Sequence, residues 1–174
     1  MRAFRLVLGG VLAASLVAVG IRGAILTHQA WLPCAAGSSV EACAAAMDGP
    51  EHLAALASLW GLALVLTITA AFVLRTRPAR VLGISATVLV LLMNSITEYA
   101  LALGFVGGHH DVPPGTGYGQ ASAWILAGVL VGTGTLADAR TPHAPVAPFD
   151  RTQPMPVRSI RHIATRARRN RSVT

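Results

Sequence analysis

The stretch VLGISATVLVLLMNSITEYALALGF, residues 81–105, decides how the rest of the chain is interpreted. The run is long enough to cross a bilayer as one helix. Asn94 and Glu98 are four residues apart, so one helix face carries both, with Thr97 beside them. Because a carboxylate is costly in hydrocarbon, Glu98 is the first candidate for a functional residue.

The depth of Glu98 leaves three interpretations open. Counted from Arg80, Glu98 lies about 27 Å along a helix, near the outer edge of a hydrocarbon core about 30 Å thick. Counted from the middle of the run, it lies only about 7 Å beyond the midplane. It is therefore a boundary residue that reaches headgroups, a structural residue inside the bundle, or a group that couples a proton or cation. The candidate structural partners are Asn94, Thr97, Ser58, Thr67 and Arg22.

Composition places the whole chain in the membrane class. Hydrophobic residues make up 53% of the 174 residues and charged residues only 12%, so long uncharged runs separate short charged segments. Each run is expected to be a helix, since backbone groups in hydrocarbon must be satisfied within the segment. The predicted fold is an all-α membrane protein, a four-transmembrane-helix bundle in residues 1–137. Its helices are expected at about 6–26, 53–74, 81–105 and 121–137, with outer loops at about 27–52 and 106–120.

The arginines predict the orientation. Thirteen of the fourteen basic residues fall on one side of these spans and only Arg22 falls on the other. The positive-inside rule then places both termini in the cytoplasm of a multi-pass plasma-membrane protein. All basic residues are arginine, which is typical of a GC-rich bacterial coding sequence. Residues 1–24 also resemble a signal peptide, but Arg22 would lie in its cleavage region and no good Ala-x-Ala site is present.

Small residues recur at helical spacing in two of the spans. The first has Gly10, Ala14 and Ala18 in one column, and the last has Gly128 and Gly132. Such columns allow close approach of membrane helices. Packing within the bundle is favoured over dimerisation, because a four-helix bundle needs such faces in any case.

The outer loops contain the remaining chemistry. Cys34 and Cys43 lie on the predicted extracytoplasmic side, where disulfides persist, and a structural disulfide is expected. His109, His110 and Asp111 supply imidazole and carboxylate groups suited to zinc or copper, although their spacing matches no metal motif. The alternative is that these residues are solvated polar groups in a turn.

Residues 138–174 form a cytoplasmic tail rich in proline and arginine. The tail is expected to be either disordered or an amphipathic basic helix that contacts anionic lipid headgroups. Nucleic-acid binding is not predicted, since no aromatic residues alternate with the basic ones. The arginines that would contact lipid or a partner are Arg158, Arg161, Arg166, Arg168, Arg169 and Arg171.

No catalytic signature is present, and no cofactor is predicted. The leading hypothesis is an accessory or scaffold subunit of a membrane complex, with a membrane-protein partner or a second copy of itself. The alternative is a small proton- or cation-coupled transporter that uses Glu98 and Asn94. An extracytoplasmic enzyme that uses the histidine pair is a third hypothesis.

Overall fold

A computed structural model describes residues 2–35, 39–48, 51–106 and 115–141, and this part of the chain is helical without strands. A single 3-10 turn, Leu32–Cys34, follows the first helix. The six α-helices are α1 (Arg2–Trp31), α2 (Val40–Asp48), α3 (His52–Val73), α4 (Arg77–Leu92), α5 (Ser95–Val106) and α6 (Tyr118–Arg140).

Three of these helices, α1, α3 and α6, are long and apolar enough to cross a membrane. The pair α4 and α5 passes the same test only when taken together, and the two helices meet at an angle of 68°. The described chain therefore has three candidate membrane spans, or four if the bent pair is one span. These helices are compatible with a membrane location.

Helix α6 packs along both α1 and α4. Helix α3 packs against α1 and α4, which closes the ring of four. The largest fully buried apolar side chains are Trp124, Leu16, Leu56, Val90 and Val131. Much of the remaining core is alanine, which suits membrane helices because their association depends on close packing rather than on the hydrophobic effect.

Helices α1 and α6 approach each other through glycine. A Cβ on Gly128 would lie 2.8 Å from Val17 Cγ2, and a Cβ on Gly20 would lie 2.8 Å from the carbonyl oxygen of Ala121. Gly128 therefore packs within the bundle, as expected. The column of Gly10, Ala14 and Ala18 does not: these residues are exposed and nothing lies within 4 Å of a Cβ on Gly10.

The two ends of the bundle differ in charge. One end, here named the arginine end, contains the start of α1, the α3–α4 connection and the end of α6. The described arginine side chains in these segments are Arg5, Arg75, Arg77, Arg80 and Arg140. The opposite end, the disulfide end, contains Cys34, Cys43 and the start of α6.

Two differences from the predicted helix bounds change the architecture. Helix α1 continues to Trp31, and α2 occupies Val40–Asp48, so part of the predicted outer loop at 27–52 is helical. The predicted single helix at 81–105 is wrong, because Met93 and Asn94 separate α4 from α5. The reason lies in the hydrogen bonds around this break.

Candidate functional site at a broken helix

The break between α4 and α5 is stabilised by side chains that replace helical hydrogen bonds. The indole Nε1 of Trp60 on α3 donates to the carbonyl oxygen of Val90 at 2.7 Å. The Asn94 side chain donates from Nδ2 to the carbonyl oxygen of Leu91 at 3.2 Å. An unsatisfied backbone carbonyl in hydrocarbon is costly, so these two donors make the interruption tolerable.

Asn94 also begins the next helix. Its Oδ1 accepts the backbone N–H of Thr97 at 3.0 Å and the Thr97 hydroxyl at 3.3 Å. A side-chain oxygen that binds the N–H three residues later is the usual N-cap of an α-helix. One asparagine therefore serves the end of α4 and the start of α5, which explains why a long apolar run bends at this residue.

The bend brings Glu98 to the start of α6. Glu98 Oε1 accepts the backbone N–H of Gly119 at 2.7 Å, and Oε2 accepts Nε2 of Gln120 at 3.0 Å. Gln120 is fully buried, and its Nε2 also donates to the Ser95 hydroxyl at 3.2 Å. We name this group of Ser95, Glu98, Gly119 and Gln120 the glutamate clasp.

The clasp uses the chemistry of a helix N-terminus. The first N–H groups of a helix have no partner within it and attract negative charge. Helix α6 begins at Tyr118, so the N–H of Gly119 is one of these groups. A Cβ on Gly119 would lie 2.8 Å from Glu98 Oε1, so a larger residue here would displace the carboxylate from this N–H.

The partners predicted for Glu98 have other contacts. Ser58 donates to the carbonyl oxygen of Ala54 in its own helix, and Thr67 donates to that of Leu64. Arg22 is exposed on α1, and the hydrogen bonds of Glu98 lead to α6 instead. Of the predicted polar residues, Asn94 and Thr97 are hydrogen-bonded to each other at the break, and Glu98 directly follows Thr97 in α5.

Sequence reasoning did not identify Gly119 and Gln120 as partners. The one available signal was the turn-forming Gly-Thr-Gly segment, residues 115–117, ahead of the fourth span. Gly115 and Gly117 both have positive φ, at 95° and 115°. This turn makes α6 begin level with Glu98 on α5. The relative position of the two helices could not be derived from the sequence of α5 or of α6 alone.

Further contacts close the disulfide end beside the clasp. Trp31 Nε1 donates to the carbonyl oxygen of Thr116 at 3.0 Å, and its ring lies edge-on to that of His52, with centroids 5.0 Å apart. His28 Nδ1 lies 3.2 Å from the hydroxyl of Tyr118. These pairs join the end of α1 to the starts of α3 and α6.

The two cysteines form the expected disulfide. Cys34 at the end of the 3-10 turn is bonded to Cys43 in α2, with their Cα atoms 4.5 Å apart. The bond fastens α2 to the end of α1 at the disulfide end. The predicted cysteine pairing is confirmed in the structure.

Two groups of predicted residues lie outside the described part of the chain: the candidate metal ligands His109, His110 and Asp111, and the tail arginines Arg158, Arg161, Arg166, Arg168, Arg169 and Arg171. Among the residues that are described, no group of three or more His, Cys, Asp or Glu side chains could hold a metal ion.

Comparison of the chain with protein-family models, with curated proteins and with solved structures finds no match. The chemistry of the clasp is therefore the basis for a functional assignment. Both oxygens of Glu98 accept N–H groups, and charge-assisted bonds of this kind are about twice as strong as neutral ones. The Glu98 carboxylate therefore holds α5 and α6 together.

Proposed function

We propose that this chain is a multi-pass protein of a bacterial plasma membrane and an accessory or scaffold subunit of a membrane complex, without catalysis of its own. One observation carries the proposal: both carboxylate oxygens of Glu98 are hydrogen-bonded to α6, so that the acid forms a clasp between α5 and α6. A carboxylate with both oxygens hydrogen-bonded to its own protein is better suited to fixing a shape than to exchanging a ligand.

The orientation belongs to the same proposal. With the arginine end in the cytoplasm, both termini are cytoplasmic, as the positive-inside rule requires. The Cys34–Cys43 disulfide then faces the oxidising compartment, in which such bonds persist. Charge and redox chemistry thus support the same orientation independently.

Helix α5 is the proposed partner-binding element. It contacts mainly α3 and α6, with few contacts to either, and three of its side chains between residues 95 and 101 are exposed. The Ile96 side chain is 80% exposed, and Ala100 and Leu101 are exposed on the following turn. Beneath it, Leu53, Ser95, Ile96, Tyr99 and Thr116 line an almost wholly apolar cleft of about 270 Å³. An apolar helix face that is exposed at the edge of a bundle offers a surface for a helix of another subunit.

Native mass spectrometry of the full chain, gently extracted from its own membrane, tests the proposal. A foreign subunit at fixed stoichiometry is expected. Replacing Ala100 by Trp on α5 should remove that subunit by steric block, whereas Ala57→Trp on the exposed face of α3 should leave it bound. A lone chain or a homo-oligomer as the sole species would contradict the proposal.

The alternative is a proton- or cation-coupled transporter that uses Glu98 and Asn94. The broken helix favours it, because discontinuous membrane helices with freed backbone groups form many ion sites in transporters. Under this alternative Glu98→Gln abolishes a pH-dependent flux in vesicles while insertion is retained. Under the accessory proposal the same variant keeps its complex intact. Measuring both the flux and the complex for Glu98→Gln therefore distinguishes the two functions.

A further inference from the structure

A second cleft lies at the arginine end, on the opposite end of the bundle from the clasp. It encloses about 550 Å³ between the first turns of α1 and the end of α3. Its lining combines four apolar side chains with two guanidinium groups: Phe4, Leu8, Phe72, Val73, Arg5 and Arg75. No residue of the clasp or of the α5 surface contributes to it.

The aromatic residues of this cleft face outward rather than into the core. The exposed fraction is 71% for Phe4 and 82% for Phe72. In a membrane these exposed rings face lipid and not water, and they line the same cleft as the two arginines. Arg5 is partly buried and Arg75 is exposed, so both guanidinium groups can reach a ligand in the cleft.

The guanidinium groups of Arg5 and Arg75 carry the positive charge of the cleft. Neither Arg5 nor Arg75 forms an ion pair with another residue in the described part of the chain. The nearest acid in sequence on this side, Asp138, accepts the backbone N–H of Thr76 at 2.8 Å through Oδ1. The cleft therefore presents two positive groups above an apolar surface.

We propose that this cleft binds one anionic phospholipid of the adjacent leaflet, with its phosphate between Arg5 and Arg75 and its acyl chains along Phe4 and Phe72. Guanidinium groups match phosphate oxygens in pairs. Basic pockets between membrane helices bind anionic headgroups in this way, and the volume fits a ligand of lipid-headgroup size. The site goes beyond the proposed function, since it needs a membrane but no protein partner.

The test uses the delipidated full-length chain in detergent, with phosphatidylglycerol or phosphatidylcholine added at equal concentration and bound lipid counted by native mass spectrometry. One saturable phosphatidylglycerol per chain is expected, with much weaker retention of phosphatidylcholine. The double variant Arg5→Gln/Arg75→Gln should lower the affinity for phosphatidylglycerol about 10- to 30-fold.

The matched control is Arg77→Gln/Arg140→Gln. It removes the same charge from the same end at residues that do not line the cleft, so lipid affinity should remain within about twofold of the unchanged chain, since both arginines are exposed and screened. Equal loss in both double variants, or equal binding of the two lipids, would overturn the site. Displacement of the lipid by millimolar inorganic phosphate would also overturn it, because the site would then be one for a free anion.

A further pair of variants tests the apolar half and guards against misfolding. Phe4→Ala/Phe72→Ala should weaken phosphatidylglycerol binding. Glycerol phosphate, which lacks the acyl chains, should be a poor ligand of both this variant and the unchanged chain. If Arg5→Gln/Arg75→Gln does not fold, Arg5→Lys/Arg75→Lys keeps both charges and removes the forked geometry, and it should lower lipid affinity several-fold. Unchanged affinity in the lysine variant and in the phenylalanine variant together would contradict the proposal.

Discussion

Glu98 and Gly119 are joined by a hydrogen bond of 2.7 Å from the backbone N–H of Gly119 to the carboxylate, although 21 residues separate them in the chain. This contact couples two local events, the bend after Leu92 and the start of α6. Neither event would place a carboxylate against a helix N-terminus without the other. The disulfide end of the bundle therefore depends on a long-range contact between two elements that pack little against each other otherwise.

Replacing Glu98 by Ala should lower the free energy of unfolding by about 1–3 kcal/mol, because the N–H of Gly119 loses its acceptor and the fully buried Gln120 loses one of its two acceptors. Glu98→Gln should have a smaller effect, since an amide oxygen still accepts from Gly119 and the Gln120 amide can rotate. Thermal unfolding in detergent, followed by circular dichroism, measures the difference. The control is Glu51→Ala, an exposed acid at the same end, and an equal loss there would contradict the clasp.

Replacing Asn94 by Ala should cost about 1–2 kcal/mol of stability, because it removes the N-cap of α5 and the donor to the Leu91 carbonyl. The stability of Asn94→Asp should lie between that of the unchanged chain and that of Asn94→Ala, since aspartate keeps the capping oxygen and loses the donor. The bend itself is measurable with spin labels on the exposed residues Ser85 and Leu101. The label separation should be shorter than the roughly 24 Å of a straight helix. A distribution centred on the straight value would contradict the break.

Trp60 should be energetically coupled to Asn94, because the two side chains satisfy adjacent carbonyls of one break, those of Val90 and Leu91. A double-mutant cycle of Trp60→Phe with Asn94→Ala should give a coupling energy of about 0.5 kcal/mol or more. The same cycle with Thr133→Ala, an exposed residue on α6, should give none. Coupling of equal size in both cycles would mean that the effect is not specific to the break.

The sequence predicted the helical class and the main apolar segments because length and hydropathy are local properties. It also predicted the disulfide, since compartment and spacing suffice for two cysteines. It did not predict the break, although it identified Asn94 as a polar residue within the apolar run. An asparagine in an apolar run reads equally well as a buried polar residue and as a cap. The deciding group is Trp60, thirty residues before Val90, because its indole donates a hydrogen bond to the Val90 carbonyl oxygen at the break.

The partners of Glu98 could not be derived for a related reason. Periodicity gives the face of a helix on which a residue lies, but not the depth at which a neighbouring helix begins. Sequence patterns therefore indicate side-chain partners only. The stronger partner is a backbone N–H, which every residue carries and which no sequence pattern marks.

The two glycines of the GxxxG spacing should differ sharply in their tolerance of alanine. A Cβ on Gly128 would lie 2.9 Å from the backbone oxygen of Ala13 on α1, whereas one on Gly132 would lie an ordinary 3.7 Å from the Ala13 Cβ. Gly128→Ala should cost about 1–3 kcal/mol through the forced separation of the helices, and Gly132→Ala should be tolerated. Thermal unfolding of the two variants measures this directly. Equal tolerance would show that α1 and α6 can shift apart.

The disulfide gives a prediction that reports on stability and orientation together. Replacing Cys34 and Cys43 by Ser should lower the free energy of unfolding by about 2–3 kcal/mol, because it opens a short closed loop. In intact cells the native chain should resist a membrane-impermeant maleimide until an impermeant reductant is added, and should then react. A cysteine placed at exposed Arg140 in the double-serine background should react only after permeabilisation, since it lies at the opposite end. Labelling of the native thiols without reductant would contradict the bond, and labelling at position 140 in intact cells would contradict the proposed orientation.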